Sequence, residues 1–415
     1  VLVLPLAAFS FKPALSQTSA AAGGTVVIPP SSIERPADRG RRAHTNIELF
    51  FPTNGVPLGA ANTPGGFFET PASLACVYKQ VKQVSGCSPA IVTAVSAHGS
   101  RAIAIVDAYD DPNAASDLAA FSSEFGLPAP GNKFQVIYAA QGSSTETTTA
   151  PPQDSSGGWE LEESADIEMA HAMAPHAKIY LVEAYSNGSG DLFPAITLAS
   201  NLVAAAGGGE VTMSFGFGDF NGETEFDSYF QTAGVVYFSS AGDSAGVNYP
   251  SSSPYVVSAG GTSIDRNPNT GDYVAESAWP STGGGPTPNE PTPSYQSKIA
   301  NLNGGRGTPD LAFNADGRTG TWIYDTFPLN GSAGTWYITA GTSLASPGLA
   351  GLVNASGKFY TSTNAELTEV YSNLGVAADF HDITNADCGP YAGYLAAKGY
   401  DFCTGIGSVA GLGGK

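Results

Sequence analysis

Gly341-Thr342-Ser343 opens an apolar stretch, with Pro347 four residues on. A serine after a small-residue turn, at the start of a helix, presents its hydroxyl where the helix N-terminus favours negative charge. That placement suits a nucleophile, which needs a nearby base; an ordinary N-cap serine fits the same tripeptide. Residues 159–168 read Trp-Glu-Leu-Glu-Glu-Ser-Ala-Asp-Ile-Glu, which sets Glu162 and Asp166 four apart. On a helix these two share a face. Like charges there destabilise the helix unless they share a proton, and a shared proton makes Glu162 a base oriented by Asp166. A third carboxyl, in Ala241-Gly242-Asp243-Ser244, follows the apolar run Val235 to Ser239. At a strand end it can face the nucleophile across the sheet's carboxyl edge. Kept protonated, it can donate a hydrogen bond to an oxyanion.

Histidine is the other choice of base. The five are His44, His98, His171, His176 and His381. Asp107, His171 and Ser343 follow the Asp, His, Ser order of a subtilisin-type triad. His171 sits mid-helix in Ala-His-Ala, however, without the Gly-Thr that follows a catalytic subtilisin His. His98 precedes Asp107, so its order is wrong.

The elements that must carry these residues alternate. Strands are expected at Ala102 to Val106, Ile179 to Val182, Val211 to Phe215 and Val235 to Ser239. Helices are expected at Asp117 to Phe125, Glu162 to Met173, Phe193 to Ala206 and from Gly341 to about Val353. Such alternation predicts an α/β fold with a parallel sheet and helices on both faces. Residues 265–310, rich in Gly, Pro and Asn, read as long surface loops. Residues 17–64 read as a linker or short pro-segment with one strand-like patch, Ile47 to Phe51, and the folded region is expected to begin near Gly65.

Composition narrows the function. The 415 residues carry 17 Lys plus Arg against 37 Asp plus Glu, a balance of −20. A chain this negative repels phosphate, which argues against a nucleic-acid partner. A hydrophobic share of 42% is too high for a disordered acidic tail. The 80 Gly and Pro residues exclude long helical bundles. No apolar run reaches the ~18 residues that span a bilayer. The apolar run Val1 to Phe11, then Lys12 and Ala14-Leu15-Ser16, reads as a truncated signal peptide over residues 1–16. Four cysteines allow three pairings. The local pairs Cys76–Cys87 and Cys388–Cys403 each close a short loop and are favoured, in keeping with an exported, oxidised protein.

Taken together, the motifs resemble the sedolisins, the serine-carboxyl peptidases, from about Gly65 to the C-terminus. The matching segments, in the family's order, are Glu162/Asp166 with Ala170 to Pro175, then Ser240 to Ser244 with Tyr249 to Val256 and Gly260-Gly261-Thr262. Gly341-Thr342-Ser343 through Pro347 and a C-terminal loop complete the set. The resemblance implies a subtilisin-like three-layer fold and an acid-acting endopeptidase. In it Ser343 attacks, Glu162 is base and then acid, Asp166 orients Glu162, and Asp243 joins the oxyanion hole. Glu160, Glu163 and Glu168 lack the spacing to Asp166 and Trp159 that the family shows. The resemblance further implies one structural Ca²⁺ ion, held by the Asp382 and Asp401 side chains and the carbonyls of Ile383, Ala397 and Gly399. Ser214-Phe215-Gly216 resembles the subtilase segment that pairs with substrate backbone. A secreted monomer acting on polypeptides follows, with no nucleic acid or membrane partner. The chain departs from the family at Ala340, Ala241, Ala165 and Ala397, and residues 17–64 are too few for the family's large folded pro-domain.

Overall fold

The computed structural model describes residues 17–21, 23–53, 67–388 and 394–415. The expected signal peptide, 1–16, lies outside the described residues. Seven strands form the parallel heart of the main sheet, in the order Leu311–Asn314, Val257–Arg266, Val235–Ser240, Gly209–Met213, Ala102–Ala108, Lys178–Ala184 and Phe134–Ala139. The expected strands and helices are all present, within a few residues of their anticipated bounds.

Alternation along a strand sends successive side chains to opposite faces. In Ala102–Ala108, Ile103 and Ile105 join one apolar core, together with the helices Gly158–Met173 and Thr342–Ser356. Ala102, Ala104 and Val106 join the other, against the helix Ser189–Ala205. Three layers result, as a sheet buried on both faces requires.

The helices Gly158–Met173 and Thr342–Ser356 pack closely. Gly351 makes this possible: a Cβ there would lie 2.6 Å from Met173 Cβ. The acidic helix is thereby pressed against the helix that carries Ser343.

Two stretches differ from expectation. Residues 265–310 hold the strands Tyr273–Ala278, Gly285–Pro291 and Gly305–Thr308. The first pairs antiparallel with the end of Val257–Arg266, and the other two form a separate ribbon. Proline is tolerated in that two-stranded ribbon because edge positions leave an N–H unneeded. Residues 17–53 carry strands at Gln17–Ala21, Gly24–Ile28, His44–Thr45 and Glu48–Pro52. Glu48–Pro52 lies between Gly24–Ile28 and Thr335–Ala340, the strand that leads into the Ser343 helix. Order therefore begins well before Gly65. Both disulfides, Cys76–Cys87 and Cys388–Cys403, are formed.

Candidate active site

Ser343 is the second residue of its helix and fully buried. Gly341 precedes it with φ 110°, a conformation that favours glycine. A Cβ at that position would overlap Asn46 O and sit 2.6 Å from Asp243 Oδ2. Pro347 lacks the N–H that would bond back to the carbonyl of Ser343. That carbonyl instead accepts from Ser214 Oγ at 3.1 Å. The proline thus frees a backbone oxygen that ties the nucleophile's helix to the Ser214 segment.

The three predicted carboxyls converge here. Glu162 and Asp166 are fully buried, and burial pushes both well above the usual carboxylate range. Asp166, Asp107 and Asp243 raise Glu162 further, while the neighbouring Ser343 hydroxyl favours its charged form. Asp166 has the Ser214 hydroxyl and Glu162 as polar neighbours. The Ser343 hydroxyl itself donates to Ser214 O at 3.2 Å.

Asp243 Oδ1 accepts from Thr342 N at 2.8 Å and from Thr342 Oγ1 at 2.7 Å. Its Oδ2 is enclosed and has no partner among the described residues. Burial, then Glu48, push this carboxyl well above the usual range, which favours a protonated acid. A protonated Oδ2 is a donor looking for an acceptor, beside the same Gly341 that Asn46 O approaches.

Asp107, which the sequence offers as the acid of a subtilisin-type order with His171, is parted from that histidine and joins the carboxyls. It lies at the carboxyl end of Ala102–Ala108, next to Asp166 and Glu183, and burial raises it strongly. It is a fourth carboxyl of the buried group.

His171 is elsewhere. Its Nε2 donates to Pro128 O at 2.9 Å, and burial lowers its pKa to about 4. Among the described residues, the hydrogen-bond partners of the Ser343 hydroxyl are Ser214 and Asn46.

Ser214, Phe215 and Gly216 border the nucleophile. Phe215–Gly216 pairs antiparallel with His44–Thr45, in register Phe215 with Thr45 and Gly216 with His44. Gly283 and Gly284 donate to Gly242 O and Gly246 O, which fixes the loop that carries Asp243. A cavity of about 420 Å³ opens between that loop and residues including His44, Asn46 and Glu48.

The C-terminal loop gathers its predicted residues. Asp401 accepts from Ala397 N at 2.9 Å, and Asp382 accepts from Gly399 N at 3.1 Å. Two carboxylates thus meet the same short segment. No cluster of three His, Cys, Asp or Glu able to hold a metal exists among the described residues. Any cation here relies on backbone carbonyls, the hard oxygen ligands that Ca²⁺ accepts, and the donor set fits that ion. Among the described residues no helix is long and apolar enough to cross a membrane.

A parallel sheet between two layers of helices, with a serine at a helix start and buried carboxyls near it, defines a subtilisin-like fold. The chain is similar to members of the sedolisin family. It is 31% identical to kumamolisin of Bacillus sp. (strain MN-32) over 353 residues, 75% of this chain and 59% of that one. It is 28% identical to sedolisin of Pseudomonas sp. (strain 101) over 331 residues, 71% of this chain and 53% of that one. The chain thus spans a little over half the length of these relatives. The solved structure of Pseudomonas sedolisin, a serine-carboxyl proteinase complexed with pseudo-iodotyrostatin, superposes with a TM-score of 0.64. That match has 24% identity and covers 84% of this chain and 96% of that one. No protein-family model matches the chain.

Proposed function

We propose that this chain is an exported serine-carboxyl endopeptidase that works in acid. One observation carries the reading: Glu162 neighbours the Ser343 hydroxyl, Asp166 neighbours Glu162, and Asp243 accepts from Thr342, the residue before Ser343. Ser343 Oγ attacks the scissile carbonyl carbon, and Glu162 accepts the hydroxyl proton. Asp166 holds Glu162 and shares its remaining proton. The oxyanion receives hydrogen bonds from Ser343 N–H and from protonated Asp243. Glu162 then gives its proton to the leaving amine, and water completes hydrolysis of the acyl-enzyme by the same path. Substrate backbone pairs with Ser214-Phe215-Gly216 as an added strand, which is largely blind to side chains.

Acid suits this machinery. The base must lose a proton from a shared set, while Asp243 must keep its own. The residues 65–415 form the peptidase unit. Asp382, Asp401 and the carbonyls of Ile383, Ala397 and Gly399 hold one Ca²⁺, which stiffens the loop that Cys388–Cys403 also closes. Two disulfides and relatives of this family favour an oxidising, extracellular setting. The direct test is hydrolysis of a denatured protein at about pH 4, near the ordinary carboxyl range, with Ser343→Ala as control. A folded, processed sample that cleaves nothing would point to a silent binding module on this fold.

A further inference from the structure

Residues Ala43 to Asn46 lie along the face that the peptidase reading gives to substrate. Ala43 N donates to Asn187 O at 2.8 Å, and His44–Thr45 pairs antiparallel with Phe215–Gly216. Asn46 N donates to Ser214 O at 3.2 Å, and Asn46 O accepts from Ser343 N at 3.0 Å. Extended backbone with its carbonyl oxygen on the Ser343 N–H is the placement required of the residue whose carbonyl is attacked. The Asn46 side chain therefore marks where that residue's side chain goes, whichever peptide fills the cleft.

Asn46 is only 2% exposed, and its Nδ2 donates to Ser240 Oγ at 2.7 Å. Ser240 ends the strand Val235–Ser240 and is fully buried. Among the described residues its hydroxyl has Asn46 as its hydrogen-bond partner and no other. The backbone just beyond it is already engaged. Ala241 N donates to Ala259 O at 2.9 Å and Gly242 N to Thr342 Oγ1 at 3.1 Å, while Gly242 O accepts from Gly283 N at 2.7 Å. Those bonds fix the strand end and hold the hydroxyl where a substrate side chain meets it. Resting on the peptidase reading, we infer that Ser240 is a specificity-determining residue: it selects a carboxamide, that of asparagine, on the acyl side of the cleaved bond.

Leucine is the informative comparison. It branches where asparagine does and is close to it in size, but offers nothing to the hydroxyl. With leucine in place, Ser240 Oγ is buried without a partner and loses its hydration uncompensated. A site built to hydrogen-bond a substrate group rejects the analogue lacking that group far more strongly than an apolar pocket separates two hydrocarbons. For one neutral hydrogen bond the discrimination is at least about tenfold. Pairing along Ser214, Phe215 and Gly216 holds either peptide equally, since strand addition is largely blind to side chains. Backbone pairing thus supplies position, and Ser240 supplies choice.

The experiment uses the full chain at about pH 4, assayed first on denatured protein. It is then given internally quenched peptides that differ only in carrying Asn, Leu or Ala at one position, with mass spectrometry locating the cut. Expected is cleavage after that residue, with kcat/KM for Asn at least about tenfold above Leu and Ala. Ser240→Ala should bring the Asn-to-Leu ratio down to about one. A merely structural effect of the variant lowers all three peptides alike and leaves the ratio unmoved. Melting curves establish that Ser240→Ala folds; if it does not, the wild-type ratio decides alone. A wild-type ratio near one, or a ratio that a folded Ser240→Ala leaves unchanged, overturns the inference and leaves the peptidase reading standing. A folded chain that cuts neither denatured protein nor any of the peptides overturns both.

Discussion

Ser343 donates its backbone N–H to the carbonyl oxygen of Asn46 at 3.0 Å, across 297 residues of sequence. The donor expected to stabilise an oxyanion is thus engaged by an uncharged peptide carbonyl. Around this contact the buried carboxyls lie on two sides: Glu162, with Asp166 next to it, by the hydroxyl, and Asp243 across Gly341 from the oxygen.

Glu162→Gln removes the only proton acceptor assigned to the hydroxyl. General acid–base catalysis contributes between about a hundred- and ten-thousandfold, so kcat of the processed enzyme should fall about a thousandfold with little change in KM. Steady-state kinetics on a peptide substrate measure this. The fold should survive, because the amide keeps the shape of the side chain in the same buried position.

Asp243 separates a donor from a charge. Asp243→Ala should lower kcat about a hundredfold or more, as removal of an oxyanion donor does. Asp243→Asn keeps an acceptor for Thr342 and supplies an N–H in place of the acid proton. Its loss should be smaller, and activity should extend to higher pH, since nothing there remains to ionise. Equal pH profiles for Asp243→Asn and wild type would remove Asp243 from the alkaline limb.

Stability should rise as pH falls from neutrality toward 4. Burial lifts Asp111 to about 7 and Glu160 and Asp325 to about 8, and raises Asp107 and Asp166 strongly. A carboxyl raised on folding binds more protons in the folded state than in the unfolded one. Its contribution is complete below the unfolded pKa near ~4 and is lost as pH climbs through the folded value. Melting of Ser343→Ala, which cannot digest itself, should show Tm climbing on acidification. The −20 balance agrees: with 17 basic groups and five His, full protonation leaves +22 across 415 residues. A Tm that falls steadily over the same range contradicts the account.

Gly351 tests the packing that brings acid and serine together. Its Cβ would press on Met173 Cβ at 2.6 Å. Gly351→Ala should cost about 1–3 kcal/mol, the usual range for overpacking, and lower kcat more than KM by parting the two helices. Denaturant titration and kinetics on one preparation measure both.

Chelation tests the C-terminal loop. Removing Ca²⁺ should lower Tm, and Asp401→Asn should show the low Tm with or without the ion. Added Ca²⁺ should raise the wild-type Tm by mass action. A Tm indifferent to the ion would leave the loop to its disulfide alone.

Much of this was legible in the sequence because it is local. Glu162 and Asp166 show a helix spacing, Ser343 follows a glycine turn, and Asp243 closes a buried strand; each is a short-range pattern. The strands of residues 273–308 were hidden, because Gly and Pro suppress propensity while edge pairing still forms ribbons. Asp107 reads as the acid of a histidine triad, and only the packing of the helix Gly158–Met173 on the strand Ala102–Ala108 sets it beside Asp166 instead. Residues 17–53 misled most. Their Gly, Ala and Pro read as linker, yet their strands are completed by partners such as Thr335–Ala340, nearly three hundred residues away. Pairing of that range leaves no mark in local composition.

The central claim is that a carboxyl, not an imidazole, activates Ser343. The most direct measurement is the pH profile of kcat/KM for the processed chain, beside Glu162→Gln and His171→Ala. A bell with an acidic maximum is expected, collapsed by Glu162→Gln and unmoved by His171→Ala. An optimum above neutrality that survives Glu162→Gln and is lost in His171→Ala would contradict it.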